Sequence, residues 1–335
     1  MTKRERIQAV IEGKRADRIP YSLWSHLPDS DLDAVKLADA TWDFYKKLNI
    51  DFIKTMNNGM YAIEDYGCTI DFSDITKGGI AKVVNTPVKT IDDWKNIPEL
   101  DPESGALGRE LHSLELLLEK RKKENDDVPV IFTVFSPLTI ADKLSGKCLL
   151  EHIKQGGADN VKAAMNRITE STERFIHRLI ERGADGIFLA SQMSSYKVME
   201  EEDFLEYGAP YDKRLLVAAS KGWCNAIHCH GEQIMFDVLN DYPVHAFNWH
   251  IWETLPDLEE GIALTGKCIM GGIARMDITN RNKNSLRNQI FHTIRATGGE
   301  GLILTPGCVV RHPLDYKTLN YIQETKNLIE KALLK

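Results

Sequence analysis

Long apolar runs are missing from this chain. None approaches the roughly 18 residues of a membrane-spanning helix, and the opening Met-Thr-Lys-Arg-Glu-Arg leads into an amphipathic helix without the apolar core of a secretory signal. A surplus of positive charge is missing too. Forty-two Lys and Arg against 49 Asp and Glu leave a net charge of −7, so neither a nucleic acid nor a membrane surface is expected as a partner, since both favour basic surfaces. A small anionic ligand remains compatible, because a binding site needs only local positive charge. The six cysteines (68, 148, 224, 229, 268 and 308) lack the close spacing of a disulfide scaffold. They read as reduced thiols, which gives a cytoplasmic expectation. No Gly-x-Gly-x-x-Gly follows the first apolar run, and there is no internal repeat or linker-like stretch. Those absences speak against an open dinucleotide-binding sheet and against two domains.

What is present is an ordinary globular composition, 43% hydrophobic and 27% charged over 335 residues, arranged in a strand–helix rhythm. Short apolar runs at 19–23, 50–54, 129–135, 185–190, 224–228, 245–249, 267–271 and 302–305 have strand character. Helical patterns fall at 3–12, 31–48, 107–124, 138–155, 158–183, 200–220 and 314–334. Residues 68–90 alternate as a hairpin would, inside an irregular insertion after the second strand. Strands that alternate with helices pair in parallel through crossover helices. Eight such units predict one α/β domain over 1–335, a (β/α)₈ TIM-like barrel preceded by an N-terminal helix. Chemistry in such a barrel gathers at the C-terminal ends of the strands. Those ends carry His26, Lys54-Thr55-Met56, Ser136, Ser191-Gln192, His228, His230, Trp249-His250, Gly271-Gly272 and Cys308. In Cys224-Asn-Ala-Ile-His-Cys-His-Gly-Glu232, strand alternation points His228 and His230 the same way and Cys229 the other. Two imidazoles so placed form either a pair of metal ligands or an acid/base pair, and Cys308 is a third candidate.

Six short pieces carry a family likeness: Asp17-Arg18-Ile19-Pro20, Phe135-Ser136-Pro137-Leu138-Thr139 with Gly146, Gly183-Ala184-Asp185-Gly186, His228-Cys229-His230-Gly231, Gly271-Gly272-Ile273 and Pro306-Gly307-Cys308. Together, over about 290 residues, they resemble the uroporphyrinogen decarboxylase superfamily, which also holds zinc-dependent methyltransferases that move methyl groups between corrinoids and thiols. The resemblance implies a TIM-like barrel. Departures from the pattern separate the branches. The first strand is followed by Trp24-Ser25-His26-Leu27-Pro28, without the arginines that in decarboxylases grip the carboxylates of a porphyrin. The second ends in Met56-Asn57-Asn58, where those enzymes carry a catalytic aspartate. A substrate with many carboxylates needs fixed cations, because a buried unpaired carboxylate is costly.

The methyltransferase branch carries a His-x-Cys pair after strand five and a cysteine after strand eight. Its positions fall on His228, His230 and Cys308, with histidine replacing the middle cysteine. The resemblance therefore implies zinc held by those three residues, with a fourth position open. A corrinoid (a methylcobamide) is implied as substrate, or as the cargo of a small corrinoid-binding partner protein. His250 and Glu232 are the expected catalytic residues, Glu232 by orienting a ligand imidazole. His26, Met56, Ser191 and Gln192 are expected against the cofactor. Two other functions stay open: a decarboxylase acting on a porphyrin or a smaller acid with His250 or His228 as general acid, and a non-enzymatic receptor for a corrinoid or tetrapyrrole.

Overall fold

A computed structural model describes residues 1–334. Seven parallel strands form one curled sheet: β1 (Ile53–Lys54), β4 (Val130–Phe135), β5 (Gly186–Ser191), β6 (Ala226–Cys229), β7 (Ala246–Trp249), β8 (Cys268–Ile273) and β9 (Leu302–Pro306), neighbours in that order. The two remaining strands, β2 (Thr69–Asp71) and β3 (Lys82–Asn85), pair antiparallel in the long stretch between β1 and β4, as the alternation at 68–90 predicts. The Val-, Ile- and Phe-rich strands are buried on both faces, because helices cover the outside and side chains fill the inside. Among the described residues no helix is long and apolar enough to cross a membrane.

The run at 19–23 differs from expectation. It makes isolated bridges rather than a strand, although it lies between both edges of the sheet. The Ser22 N–H donates to the Leu304 carbonyl, the Leu304 N–H to that of Pro20, and the Asp51 N–H to that of Tyr21. Two local features break the ladder. Pro20 has no N–H to give, and the Tyr21 N–H is taken by the Asp51 carboxylate at 3.0 Å.

Buried carboxylates organise the N-terminal ends of the strands. Asp51, fully buried, accepts from Arg6 at 2.9 Å and from Arg18 at 2.6 and 2.7 Å. Asp185, just before β5, accepts from Arg4 at 2.6 Å, from Arg121 at 2.7 Å and from the Trp223 indole at 3.0 Å. The helix Lys3–Ile11, opened by a Thr2/Glu5 capping box, supplies Arg4 and Arg6 and so fastens the N-terminus beneath the sheet.

Candidate metal centre

Four side chains from three strand ends converge. One nitrogen each of His228, His230 and His250 and the sulfur of Cys308 all lie within 4.8 Å of one another. The His230 Nδ1 is 3.3 Å from His250 Nε2 and 3.8 Å from Cys308 Sγ. His228 sits in β6, in register with Ala190 and Asn248, and His230 lies just beyond it. His250 follows β7 and Cys308 follows β9. Gly307 permits the last approach: a Cβ there would stand 2.7 Å from the Trp249 carbonyl oxygen and 3.1 Å from the His250 Cα. Only a residue without a side chain lets the chain carry Cys308 against His250.

Neighbouring groups orient two of the imidazoles. The Asn248 amide nitrogen donates to the carbonyls of Met270 (2.6 Å) and Pro306 (3.1 Å), so its oxygen faces His228 and accepts from Nδ1–H at 2.6 Å. That bond leaves Nε2 of His228 as the free acceptor. The Glu253 carboxylate accepts from His250 Nδ1–H at 3.1 Å, which directs Nε2 into the cluster. Histidines tied to a carboxylate or carbonyl through their second nitrogen are the usual form of metal-binding imidazoles.

The electrostatics agree. Burial alone would raise the Cys308 thiol, but the imidazole of His228 and hydrogen bonds from all three histidines outweigh it and hold the thiol well below its usual range. Burial likewise works against a charged His250, yet Cys308 and Glu253 prevail and lift it to about 9. His228 is pushed down by burial. The donor set is thus a thiolate among imidazoles, balanced by a proton that a metal cation would displace. A tetrahedral zinc, with bonds of about 2.0–2.3 Å, has edges of roughly 3.3–3.7 Å between its ligands. The separations of 3.3 and 3.8 Å measured from His230 fit such an ion.

The other expected residues divide. His26 is drawn in: its Nδ1 bonds the Asn57 carbonyl at 3.0 Å, and burial, helped by Lys54, pushes it down to about 4. Met56 is buried, its sulfur 3.4 Å from the Ser25 N–H. Gln192 is half-buried, its N–H donating to Thr139 Oγ1 at 2.9 Å. Ser191 is not brought to the cluster. It stands in register with Cys229, and alternation turns both away from the face that bears His228. Nor is Glu232, which is 57% exposed and paired with Lys197; the carboxylate that reaches an imidazole is Glu253. Asn248 and Glu253 are the neighbours that residue type alone left out, while Lys54 was marked by its place at a strand end. The sequence sign for Glu253 was its place three residues after His250, one turn on.

Comparison with known proteins places this geometry in a family. The family described as Uroporphyrinogen decarboxylase (URO-D) matches residues 2–325. The chain belongs to the uroporphyrinogen decarboxylase family. A methylcobamide:CoM methyltransferase, MtbA, from Methanosarcina mazei is 23% identical over 230 residues, and its counterpart from Methanosarcina acetivorans is 21% identical. The aligned stretch takes in 65% of this chain and 66% of each relative, just under two thirds of their length. A solved methyltransferase from Methanosarcina mazei superposes with a TM-score of 0.83 at 15% identity, covering 98% of this chain and 99% of that one. A B12-independent methionine synthase from Shewanella sp. W3-18-1 gives 0.56 at 13%, covering 90% and 89%. At such identities the structural likeness speaks for the fold.

Proposed function

We propose that this chain is a zinc-dependent methyltransferase that moves a methyl group between a corrinoid, free or carried by a small partner protein, and a thiol. In this reading it is one cytoplasmic domain, a (β/α)₈ barrel closed by the 19–23 segment and bearing an insertion after its second strand. The unpaired state of all six cysteines supports a reducing compartment. The observation that carries the reading is the meeting of His228, His230 and Cys308 at the C-terminal ends of β6 and β9, in a chain whose relatives include methylcobamide:CoM methyltransferases.

His228, His230 and Cys308 would hold the zinc. When bound, zinc supplies a Lewis acid that keeps a thiol deprotonated at neutral pH. Asn248 keeps the tautomer of His228 that presents Nε2. His250, steadied by Glu253, receives the thiol proton on Nε2 as the acceptor enters. Phe188 lies flat against His228, ring centres 5.5 Å apart and planes 16° from parallel, and keeps water from that side. His26 and Met56 border the same space, whereas Ser191 faces away from it and Glu232 ends in solvent.

Protein purified without chelator is expected to contain about one zinc per chain and to demethylate methylcobalamin in the presence of 2-mercaptoethanesulfonate, followed by the visible spectrum of the corrinoid. Full activity in metal-free protein would end the proposal.

A further inference from the structure

Lys54, at the C-terminal end of β1, is 6% exposed, and no carboxylate among the described residues acts on it. One of its three N–H donors reaches the carbonyl of its own neighbour Thr55 at 3.1 Å. Aromatic rings make up the surroundings: the ammonium is 5.8 Å from the centre of Trp24 and 5.3 Å from that of Phe188. Phe188 is the ring stacked on His228, so the lysine opens into the same space as the cluster. The negative charge that acts on it is the Cys308 thiolate, which a bound zinc would take up; an ammonium then left without a counter-ion is costly, and a methionine would pack the position without that cost. At the other end of the strands, by contrast, Asp51 and Asp185 are each paired with two arginines. Here the match is left to something that binds.

We propose that Lys54 holds an anionic group, a sulfonate or carboxylate, on the methyl-accepting thiol and thereby selects anionic acceptors over neutral ones. The inference rests on the methyltransferase reading. Charge counting supports it. Zinc with one thiolate and neutral imidazoles carries one net positive charge, which an incoming thiolate cancels. Arg275 has the Glu253 carboxylate within reach, so the fixed positive charge then remaining beside the aromatic rings is Lys54: burial lowers it only to about 8, so it stays charged at neutral pH, whereas His26 beside it, held near 4, is neutral. A doubly anionic thiol leaves no unmatched charge in the pocket.

The test uses cobalt(II)-substituted wild type and the variants Lys54→Met and Lys54→Arg, titrated with 2-mercaptoethanesulfonate, 3-mercaptopropionate and 2-mercaptoethanol. Binding is read from the sulfur-to-cobalt absorption band. Wild type should bind the anionic thiols about ten- to a hundredfold more tightly than the neutral one, the range for a hydrogen bond to a charged group, and the tighter of the two names the headgroup. Lys54→Met should bring them down to the affinity of 2-mercaptoethanol, and Lys54→Arg should keep part of the preference. No preference in wild type, or one that survives in Lys54→Met, overturns the proposal. A second arm separates it from the metal: ethanesulfonate and propionate are titrated calorimetrically into the metal-free proteins. Binding to wild type and not to Lys54→Met upholds the lysine's role even should no cobalt be taken up, and equal behaviour of the two proteins there overturns it.

Discussion

The two ends of the same strands are built on opposite rules. At the N-terminal ends each buried carboxylate meets more guanidinium than it needs: Asp51 faces Arg6 and Arg18, and Asp185 faces Arg4 and Arg121. At the C-terminal ends charge is left over or shared. Lys54 has no carboxylate, Cys308 is a thiolate among three imidazoles, and Asp31 lies buried beside Glu110, burial pushing each carboxyl up to about 7. Complete pairing belongs to the end that holds the barrel together. Incomplete pairing marks the end where His228, His230, His250 and Cys308 gather, in line with the placing of barrel chemistry.

Changes at each end should therefore separate cleanly. The largest effect is expected at Cys308→Ala: zinc content collapses and methyl transfer falls by about a thousandfold or more, while the urea midpoint barely moves. Atomic emission and the corrinoid assay measure the first two. Asp51→Ala should do the reverse. Leaving Arg6 and Arg18 unpaired lowers unfolding free energy by about 3 kcal/mol, with the metal content of the folded fraction unchanged. A stability loss in Cys308→Ala as large as that in Asp51→Ala would erase the contrast. Asn248→Ala and Glu253→Gln sharpen it, since each frees an imidazole without removing a ligand. Zinc affinity, measured by competition with a chromophoric chelator, should drop by about 10- to 100-fold.

The remaining contrast concerns pH. Asp31 titrates near 7 in the fold but near 3.9 in an unfolded chain. Between those values the native state binds the extra proton, so stability falls as pH rises from about 4 to about 7 and is level above. Asp31→Asn should reduce that decline in urea melts taken across the interval, leaving the part that Glu110, also raised to about 7, contributes. An unchanged slope would assign it elsewhere.

The curled parallel sheet was legible because apolar runs and helical stretches alternate along most of the chain, and the His/Cys cluster because its members are rare residue types at strand ends. Single-strand periodicity was enough to put His228 and His230 on one side. It was not enough for Ser191, since a shift of one residue turns a side chain to the other face, and only the pairing of Ser191 with Cys229 settles which face it takes. Glu232 looked suitable by nearness in sequence, but the chain turns at Gly231, whose φ is +106°, and the carboxylate ends in solvent. Asn248 could not be singled out because asparagine has no intrinsic tie to metals. Its role arises from sitting opposite His228 across two strands. The 19–23 run kept its place but lost its strand pairing to one buried aspartate, a competition that hydrophobic pattern does not record.

The side chain of Asn248 touches β6 through His228, β8 through Met270 and β9 through Pro306. One carboxamide therefore locks three staves of the barrel to a common height. The ligand spacing is in this sense a property of the staves, and the loops above them are free to diverge. A change in those loops would leave the seat of His228 beneath them at the same gauge.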